Sequence, residues 1–317
     1  MKKTILFLLT LTLLLGACTP AATPTAAPAE PEPAAKPEPE PMVFTDDLGN
    51  ELTFNEYPQA ILSISPSTTE ILFAVGAGDQ VIGREDMSTY PEEATALPSI
   101  GSLWGDLPTE AILAMEPDLV VAAEIISAEQ VAALQELGLQ VYWQANPTNY
   151  DELWDNLRDF GTLTGHEDET ETLVTELAAR VDAVNQAIMP LSYRPVVFYE
   201  LDATDPANPW TAGSGTFIDL IINTAGGFNA AMELQGDYTQ ISSEQLIDVN
   251  PQIILLSDAL YGVTPEAVAE RAGWDAIAAV QEGNIYPIDP NIMSVPGPRL
   301  VDALEEVAKI LHPGVLE

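Results

Sequence analysis

Glu110-Ala-Ile-Leu-Ala-Met-Glu-Pro117-Asp-Leu-Val-Val121 is a segment that the chain repeats, with changes, as Glu244-Gln-Leu-Ile-Asp-Val-Asn-Pro251-Gln-Ile-Ile-Leu255. In each copy a Glu opens a short helical pattern, a Pro follows seven residues later, and an apolar run comes after the Pro. Pro cannot continue a helix and biases the residue before it toward extended backbone, so each copy predicts a helix, a break and a buried strand. The copies lie about one domain length apart, which predicts two similar lobes.

The composition fits a two-lobed globular body and limits its partners. The chain has 317 residues, 47% of them hydrophobic, and a formal net charge of −39. Such a surface repels nucleic acid, so no nucleic-acid partner is expected, although the acidity is equally explained as a solubility device. With one Cys and two His, the chain has neither an intrachain disulfide nor a metal site built from several of these residues.

The amino-terminal end predicts a secretory signal peptide followed by a disordered tether. Lys2 and Lys3 precede a short apolar run that ends in Leu15-Gly-Ala-Cys18, which predicts a secretory signal over residues 1–17. This ending resembles a bacterial lipoprotein signal, and the resemblance implies lipidation of Cys18. Residues 18–42 are mostly Ala, Pro, Thr and Glu, a composition typical of a disordered tether. We therefore expect an extracytoplasmic protein anchored by lipid to the cell membrane, in a periplasm or on the outer face.

The rest of the chain predicts an α/β protein with two lobes. Strand and helix patterns alternate over 43–165 and again over 191–317, which predicts a mostly parallel central sheet in each lobe. A long amphipathic pattern over 166–190 predicts one helix that joins the lobes. Ligand-facing loops are expected at the carboxyl ends of the strands. In the first lobe these loops offer Ser67, which together with Glu70 also predicts a helix capping box, and Met87, Tyr90, Trp104 and Ala123.

Several motifs along the chain carry a resemblance to one family of proteins. In chain order they are Ile61-Leu-Ser-Ile-Ser-Pro-Ser-Thr-Thr-Glu-Ile-Leu-Phe-Ala-Val-Gly-Ala-Gly78, Thr89-Tyr-Pro-Glu-Glu-Ala94, Glu110…Pro117-Asp-Leu-Val, Gly226-Gly-Phe-Asn229 and Pro296-Gly-Pro-Arg299. The resemblance is to the iron-siderophore/cobalamin class of ABC-importer substrate-binding proteins, and it extends over about residues 43–315. It implies two α/β lobes, a long connecting helix, a ligand between the lobes and little closure on binding.

Within that class the chain is most similar to cobalamin-binding proteins. Trp104 lies six residues before Glu110, and Tyr238 lies six residues before Glu244, as in their pattern. Trp210 precedes a Thr-Ala-Gly turn, where they also have an aromatic residue. Flat aromatic rings suit a large corrin because they bury much apolar area with little loss of entropy. Two departures, Met87 and Ala123 in place of aromatic residues, leave related ligands open.

Charge favours a near-neutral ligand. Among the cations of the folded body, Arg84 and Arg299 fall on loops that could face the cleft. Anionic siderophores need several cations, so cobalamin or a neutral hydroxamate siderophore fits better. Haem stays open, with Met87, Tyr90 or Tyr238 as its axial ligand. The expected ligand-binding residues are Ser67, Arg84, Met87, Tyr90, Trp104, Trp210, Tyr238 and Arg299.

The repeated Glu has a role of its own by resemblance. In cobalamin importers one Glu from each lobe pairs with Arg on the membrane permease, and Glu110 and Glu244 occupy those positions. The alternative is that each Glu only stabilises the positive end of its helix. We expect a monomer that docks on a permease homodimer with ATPase subunits and carries a ligand rather than a cofactor. An envelope enzyme is the alternative class, but neither His166 nor His312 lies near a Ser-rich loop, and the body has no Cys.

Overall fold

The structure is a computed structural model and describes residues 41–316. The predicted signal peptide, the lipidated Cys18 and almost all of the predicted tether lie outside the described residues. Met42, the last residue of that tether, already pairs with Phe54 in the first strand. The first strand thus starts one residue before the boundary predicted at residue 43.

The first lobe contains a parallel four-stranded sheet, as predicted. Its elements are β1 (Met42–Thr45), β2 (Glu51–Phe54), β3 (Ile61–Ser63), α1 (Pro66–Ala74), β4 (Val81–Arg84), α2 (Thr109–Ala114), β5 (Leu119–Ala123), α3 (Ala128–Glu136) and β6 (Val141–Gln144). The strand order is β4-β3-β5-β6, while β1 and β2 form a separate antiparallel hairpin. Parallel pairing puts the carboxyl ends of β3, β5 and β6 at one edge of the sheet.

Two helices lead from the first lobe to the second. Helix α4 (Tyr150–Thr164) ends at Gly165, whose φ of 79° supplies the left-handed cap, and α5 (Glu167–Ile188) follows. The buried stripe of α5 belongs to one hydrophobic cluster that runs through both lobes; it contains Leu119 of the first lobe, Val181 of α5, and Ile221 of the second. The predicted connecting helix thus packs against both lobes rather than within one.

The second lobe repeats the plan. Its elements are β7 (Val196–Glu200), β8 (Trp210–Ala212), α6 (Phe217–Thr224), β9 (Phe228–Asn229), β10 (Tyr238–Gln240), α7 (Ser243–Val249), β11 (Ile253–Leu256), α8 (Pro265–Ala269), α9 (Ala278–Glu282), β12 (Ile285–Pro287), α10 (Pro290–Met293) and α11 (Leu300–Leu311). The strand order β12-β11-β7-β9 is again parallel, and β8 pairs antiparallel with β10 outside that sheet.

The two copies of the repeated segment have the same structure. Helix α2 leads into β5, and α7 leads into β11; Ile112 and Leu246 are the fully buried residues at equivalent places. The extended backbone expected before each Pro is wrong, because Glu116 and Asn250 have φ of 50° and 51°. This left-handed residue closes the helix: the N–H of Asn250 donates to the carbonyl oxygen of Leu246. The helix, break and strand are confirmed, with a left-handed cap as the break.

The capping box predicted at Ser67 is wrong. Helix α1 has Ser65 as its N-cap, with its side chain accepting from the N–H of Thr68 at 3.4 Å, and Pro66 as its first residue. Pro is favoured there because the first helical N–H has no partner in any case. Glu70 takes no part in the cap, and its carboxylate pairs with Arg299 of the second lobe.

Candidate ligand-binding site

A cavity of about 840 Å³ lies where the two lobes meet. Its first-lobe lining comes from the start of α1 and the loops after β5 and β6, and its second-lobe lining from the start of α6 and nearby loops. The volume lies in the upper part of the roughly 300–1,000 Å³ range of ligand pockets, which indicates a large ligand. The lining residues are Ser65, Pro66, Ser67, Trp104, Ala123, Glu124, Ile125, Ala145, Asn146, Pro147, Thr148, Leu201, Gly215, Thr216, Phe217, Ile218, Asp237, Tyr238, Ser294, Val295 and Pro296.

One aromatic residue that follows the predicted pattern lines the cavity from each lobe. Trp104 lies five residues before α2 and is 82% exposed, and Tyr238 begins β10 and is 42% exposed. Tyr238 is positioned by the pairing of β10 with β8, where it faces Ala212 in register. Two large rings are thus left uncovered in a cavity, where a ligand with an apolar face could bury them.

The amino ends of two helices, one from each lobe, border the cavity. Ser65 and Ser67 lie at the start of α1, and Thr216 caps α6 by accepting from the N–H of Asp219 at 3.1 Å. Asp219 also accepts from the N–H of Gly215 at 3.1 Å, so the positive end of α6 already has its own carboxylate. The start of α6 therefore offers a ligand hydrogen bonds more than an excess of positive charge.

The charged residues of the lining are both acidic. Glu124 lies on the first lobe and Asp237 on the second, and both side chains are exposed. Burial raises the pKa of the Tyr238 phenol, and the negative charges of Glu124 and Asp237 raise it further. Tyr238 therefore remains a neutral phenol at neutral pH.

Five of the predicted ligand-binding residues are not in the lining of this cavity, whereas Ser67, Trp104 and Tyr238 are. Met87 and Tyr90 lie on the loop after β4 and are exposed, and Trp210 begins β8 with 41% of its surface exposed. Arg84 donates from Nε to the carbonyl oxygen of Ala94 at 3.0 Å, so its guanidinium is held by the backbone of its own loop. The fifth residue is Arg299.

Arg299 joins the two lobes. Its guanidinium forms a bidentate ion pair with Glu70 of α1, with 3.0 Å between Nε and Oε2, and it also donates to the carbonyl oxygen of Asn291 at 3.0 Å. The Tyr90 ring stacks against the guanidinium, whose carbon is 3.8 Å from the ring centroid. Since Glu70 is 3% exposed, this pair is a buried contact between lobes.

The repeated Glu residues occupy equivalent exposed positions. Glu110 is the second residue of α2 and Glu244 the second residue of α7, and both are exposed. Helix α7 is capped by Ser242, which forms a reciprocal capping box with Gln245, so Glu244 is left out of the cap. Each carboxylate is therefore available at the positive end of a short helix.

Sequence reasoning missed the acidic residues of the cavity. Glu124 directly follows Ala123, so the rule that places loops at strand ends could have found it. Asp237 could not be found in this way. It precedes β10, and the three-residue strands β8 and β10 are too short to show an alternation of apolar and polar residues. Gly213 permits this pairing: a Cβ there would lie 2.2 Å from the carbonyl oxygen of Gly236, so only Gly fits.

The site combines two lobes with parallel sheets, a helix that joins them and a cavity between them. The family model described as periplasmic binding protein matches residues 61–292, and the chain belongs to that family. Proteins of this family lie outside the cytoplasm, where they bind ligands for transport, and they work with a membrane permease and its ATPase. No helix of residues 41–316 is long and apolar enough to cross a membrane.

Three known proteins illustrate the relationship. YvrC of Bacillus subtilis, an uncharacterized ABC transporter substrate-binding lipoprotein, is 28% identical over 86% of this chain and 86% of its own length. A cobalamin-binding protein of Halobacterium salinarum is 27% identical over 86% of this chain and 74% of its own. The solved structure of the periplasmic heme-binding protein RhuT from Roseiflexus sp. RS-1 in apo form has a TM-score of 0.72 and 26% identity, covering 81% of this chain and 99% of that one.

Proposed function

We propose that this protein captures a cobalamin-type corrinoid between its lobes and delivers it to an ABC permease. The observation that carries the proposal is the cavity with Trp104 and Tyr238, one on each lobe, at the positions that resemble cobalamin-binding proteins. A corrin ring is large and flat, so it can cover both aromatic side chains at once. Its peripheral amides match the neutral hydroxyl and backbone groups at the starts of α1 and α6. The similarity to a cobalamin-binding protein supports the same choice.

Haem and a neutral hydroxamate siderophore are the other candidate ligands, and they differ in how their charge fits the acidic lining of the cavity. Haem carries two carboxylates, which would meet the carboxylates of Glu124 and Asp237 with no lining cation to offset them. Met87 and Tyr90, two of the expected axial ligands, do not line the cavity, and the neutral phenol of Tyr238 disfavours the third. A neutral hydroxamate meets no such repulsion, so it stays the second candidate.

Titration calorimetry with cyanocobalamin tests the proposal, using the Trp104→Ala variant to locate the site. Loss of one large aromatic contact is expected to weaken binding by at least about tenfold, which corresponds to about 1.4 kcal/mol. Trp210→Ala is the matched control, because Trp210 lies outside the cavity lining. If cyanocobalamin gives no heat and a ferric hydroxamate binds, the protein is a siderophore-binding protein instead. An equal loss of affinity in both variants would show that Trp210 also contacts the ligand.

The docking role of the repeated Glu is part of the same proposal. Glu110 and Glu244 are exposed at equivalent positions on the two lobes, so together they could present two matching carboxylates to a dimeric permease. Anchoring through Cys18 would keep the protein close to that permease. The acidic surface makes pairing with cations on the permease the natural form of this contact.

A further inference from the structure

We propose that Glu124 and Asp237 are specificity-determining residues that make the cavity select a ligand carrying a positive charge over neutral and anionic forms of the same molecule. This inference rests on the proposed function, since it concerns the ligand of the same cavity. It deepens that function by naming the charge class that the site prefers.

Glu124 is held at the cavity by the first lobe. It follows Ala123, the last residue of β5, and its Oε2 accepts from the backbone N–H of Asn146 in the loop after β6, at 3.1 Å. Among residues 41–316, Oε1 has no hydrogen-bond partner. The carboxylate is thus fixed over the ends of two strands with one oxygen available to a ligand.

Asp237 is held by the second lobe in a different way. Its backbone carbonyl accepts from the N–H of Gly213 at 2.7 Å, and Tyr238, the next residue, begins the strand β10. In the described part of the chain its side chain has no hydrogen-bond partner, so the charge has no local neutralisation. The pairing of β8 with β10 therefore fixes the backbone from which the carboxylate projects.

The two cations that the sequence placed on loops facing the cleft are engaged elsewhere. Arg84 donates to the backbone of its own loop, and Arg299 pairs with Glu70. The lining contains neither Lys, Arg nor His. Glu124 and Asp237 come from opposite lobes, and both line the cavity together with Tyr238. The negative charge of each raises the pKa of the Tyr238 phenol, so their electrostatic fields overlap inside the cavity. A ligand placed against Tyr238 is therefore exposed to both charges.

One experiment uses a charge series on a single scaffold. Cyanocobalamin is neutral, aquacobalamin at mildly acidic pH carries one positive charge, and a cyanocobalamin monocarboxylate carries one negative charge. At low ionic strength we expect affinity to change by about threefold for each unit of ligand charge, in favour of the cation. The corrin absorption spectrum checks that the axial water of aquacobalamin is retained.

Variants identify the source of the preference. The double variant Glu124→Gln/Asp237→Asn should bring the three affinities within about twofold of each other, which is what loss of a partly screened pair of charges predicts. The control is Glu136→Gln/Asp248→Asn, which removes one exposed carboxylate from each lobe outside the cavity lining and should leave the series unchanged. Equal affinities in the wild type, or equal slopes in the two double variants, would overturn the inference.

The outcome is separable from that of the corrinoid proposal. If no corrinoid binds, the same comparison is made with ferrioxamine B, which carries an ammonium group, and its neutral N-acetyl derivative. Quenching of Trp104 fluorescence by caesium and by iodide needs no ligand, and Trp104→Phe isolates the Trp104 signal. The ratio of caesium to iodide quenching should fall in Glu124→Gln/Asp237→Asn relative to the control. An unchanged ratio would show that the two carboxylates do not set the charge of the cavity.

Discussion

Replacing Arg299 by Ala removes a buried ion pair between the lobes. The change leaves the carboxylate of Glu70, which is 3% exposed, without its bidentate partner, and it removes the stacking on Tyr90. Breaking a buried ion pair by deleting one partner costs about 3–5 kcal/mol. A domain is stable by about 5–15 kcal/mol, so the variant should lose a large part of the free energy of unfolding.

The loss should depend on pH. Burial already raises the pKa of Glu70 against the opposing effect of Arg299, and without Arg299 that pKa rises further. A carboxyl whose folded-state pKa is raised contributes stability below its unfolded value of about 4.3 and loses it as pH rises through the folded value. The difference between the variant and the wild type should therefore be small in acid and grow toward neutral pH.

Urea denaturation followed by circular dichroism measures both effects. Arg158→Ala is the matched control: it removes an ion pair with Glu171 that has a distance of 2.7 Å but a 41% exposed Arg side chain. Because exposed pairs contribute little, this control should change stability by only a small fraction of the Arg299→Ala effect. A loss in Arg299→Ala no larger than in the control, or one independent of pH, would refute the reasoning.

Two further predictions concern the permease and the carboxyl-terminal end. Glu110→Ala combined with Glu244→Ala should leave ligand affinity within about twofold, as expected for exposed residues outside the cavity, but reduce transport by the cognate permease at least about tenfold. Uptake by reconstituted vesicles measures this, and normal uptake would rule out the docking role. Burial lowers the pKa of His312, so its contribution to stability is present above its unfolded pKa of about 6.5 and lost as pH falls through the folded value. His312→Asn should therefore flatten the fall in unfolding free energy below pH of about 6.5, and identical slopes would contradict the assignment.

The general architecture could be predicted because it depends on local patterns. Each repeated segment contains the helix, the Pro and the apolar run that form α2–β5 and α7–β11, so both lobes follow from adjacent residues. Trp104 and Tyr238 were predicted by resemblance, since each lies six residues before a repeated Glu as in cobalamin-binding proteins. These features need no knowledge of which distant parts of the chain meet.

The role of Arg299 could not be predicted for the opposite reason. Its partner Glu70 lies 229 residues away, and sequence alone gave both residues plausible local roles, a cap for Glu70 and a ligand contact for Arg299. Burial selects the ion pair over these local roles, because a charge removed from water needs a partner of opposite sign. Asp237 was missed in turn because its position depends on a close backbone approach at Gly213.

On each lobe a short stretch of chain leads from the cavity to the start of the repeated segment. Between Trp104 and Glu110, and again between Tyr238 and Glu244, the chain passes from the cavity to an exposed helix start. The helix that follows packs against the core of its lobe through one fully buried residue, Ile112 or Leu246. Arg299 joins the two lobes through Glu70, which limits changes in their separation. If Glu110 and Glu244 dock the permease as proposed, a bound ligand would influence them by ordering the loops that carry Trp104 and Tyr238, and Arg299→Ala should loosen the relative placement of the two carboxylates.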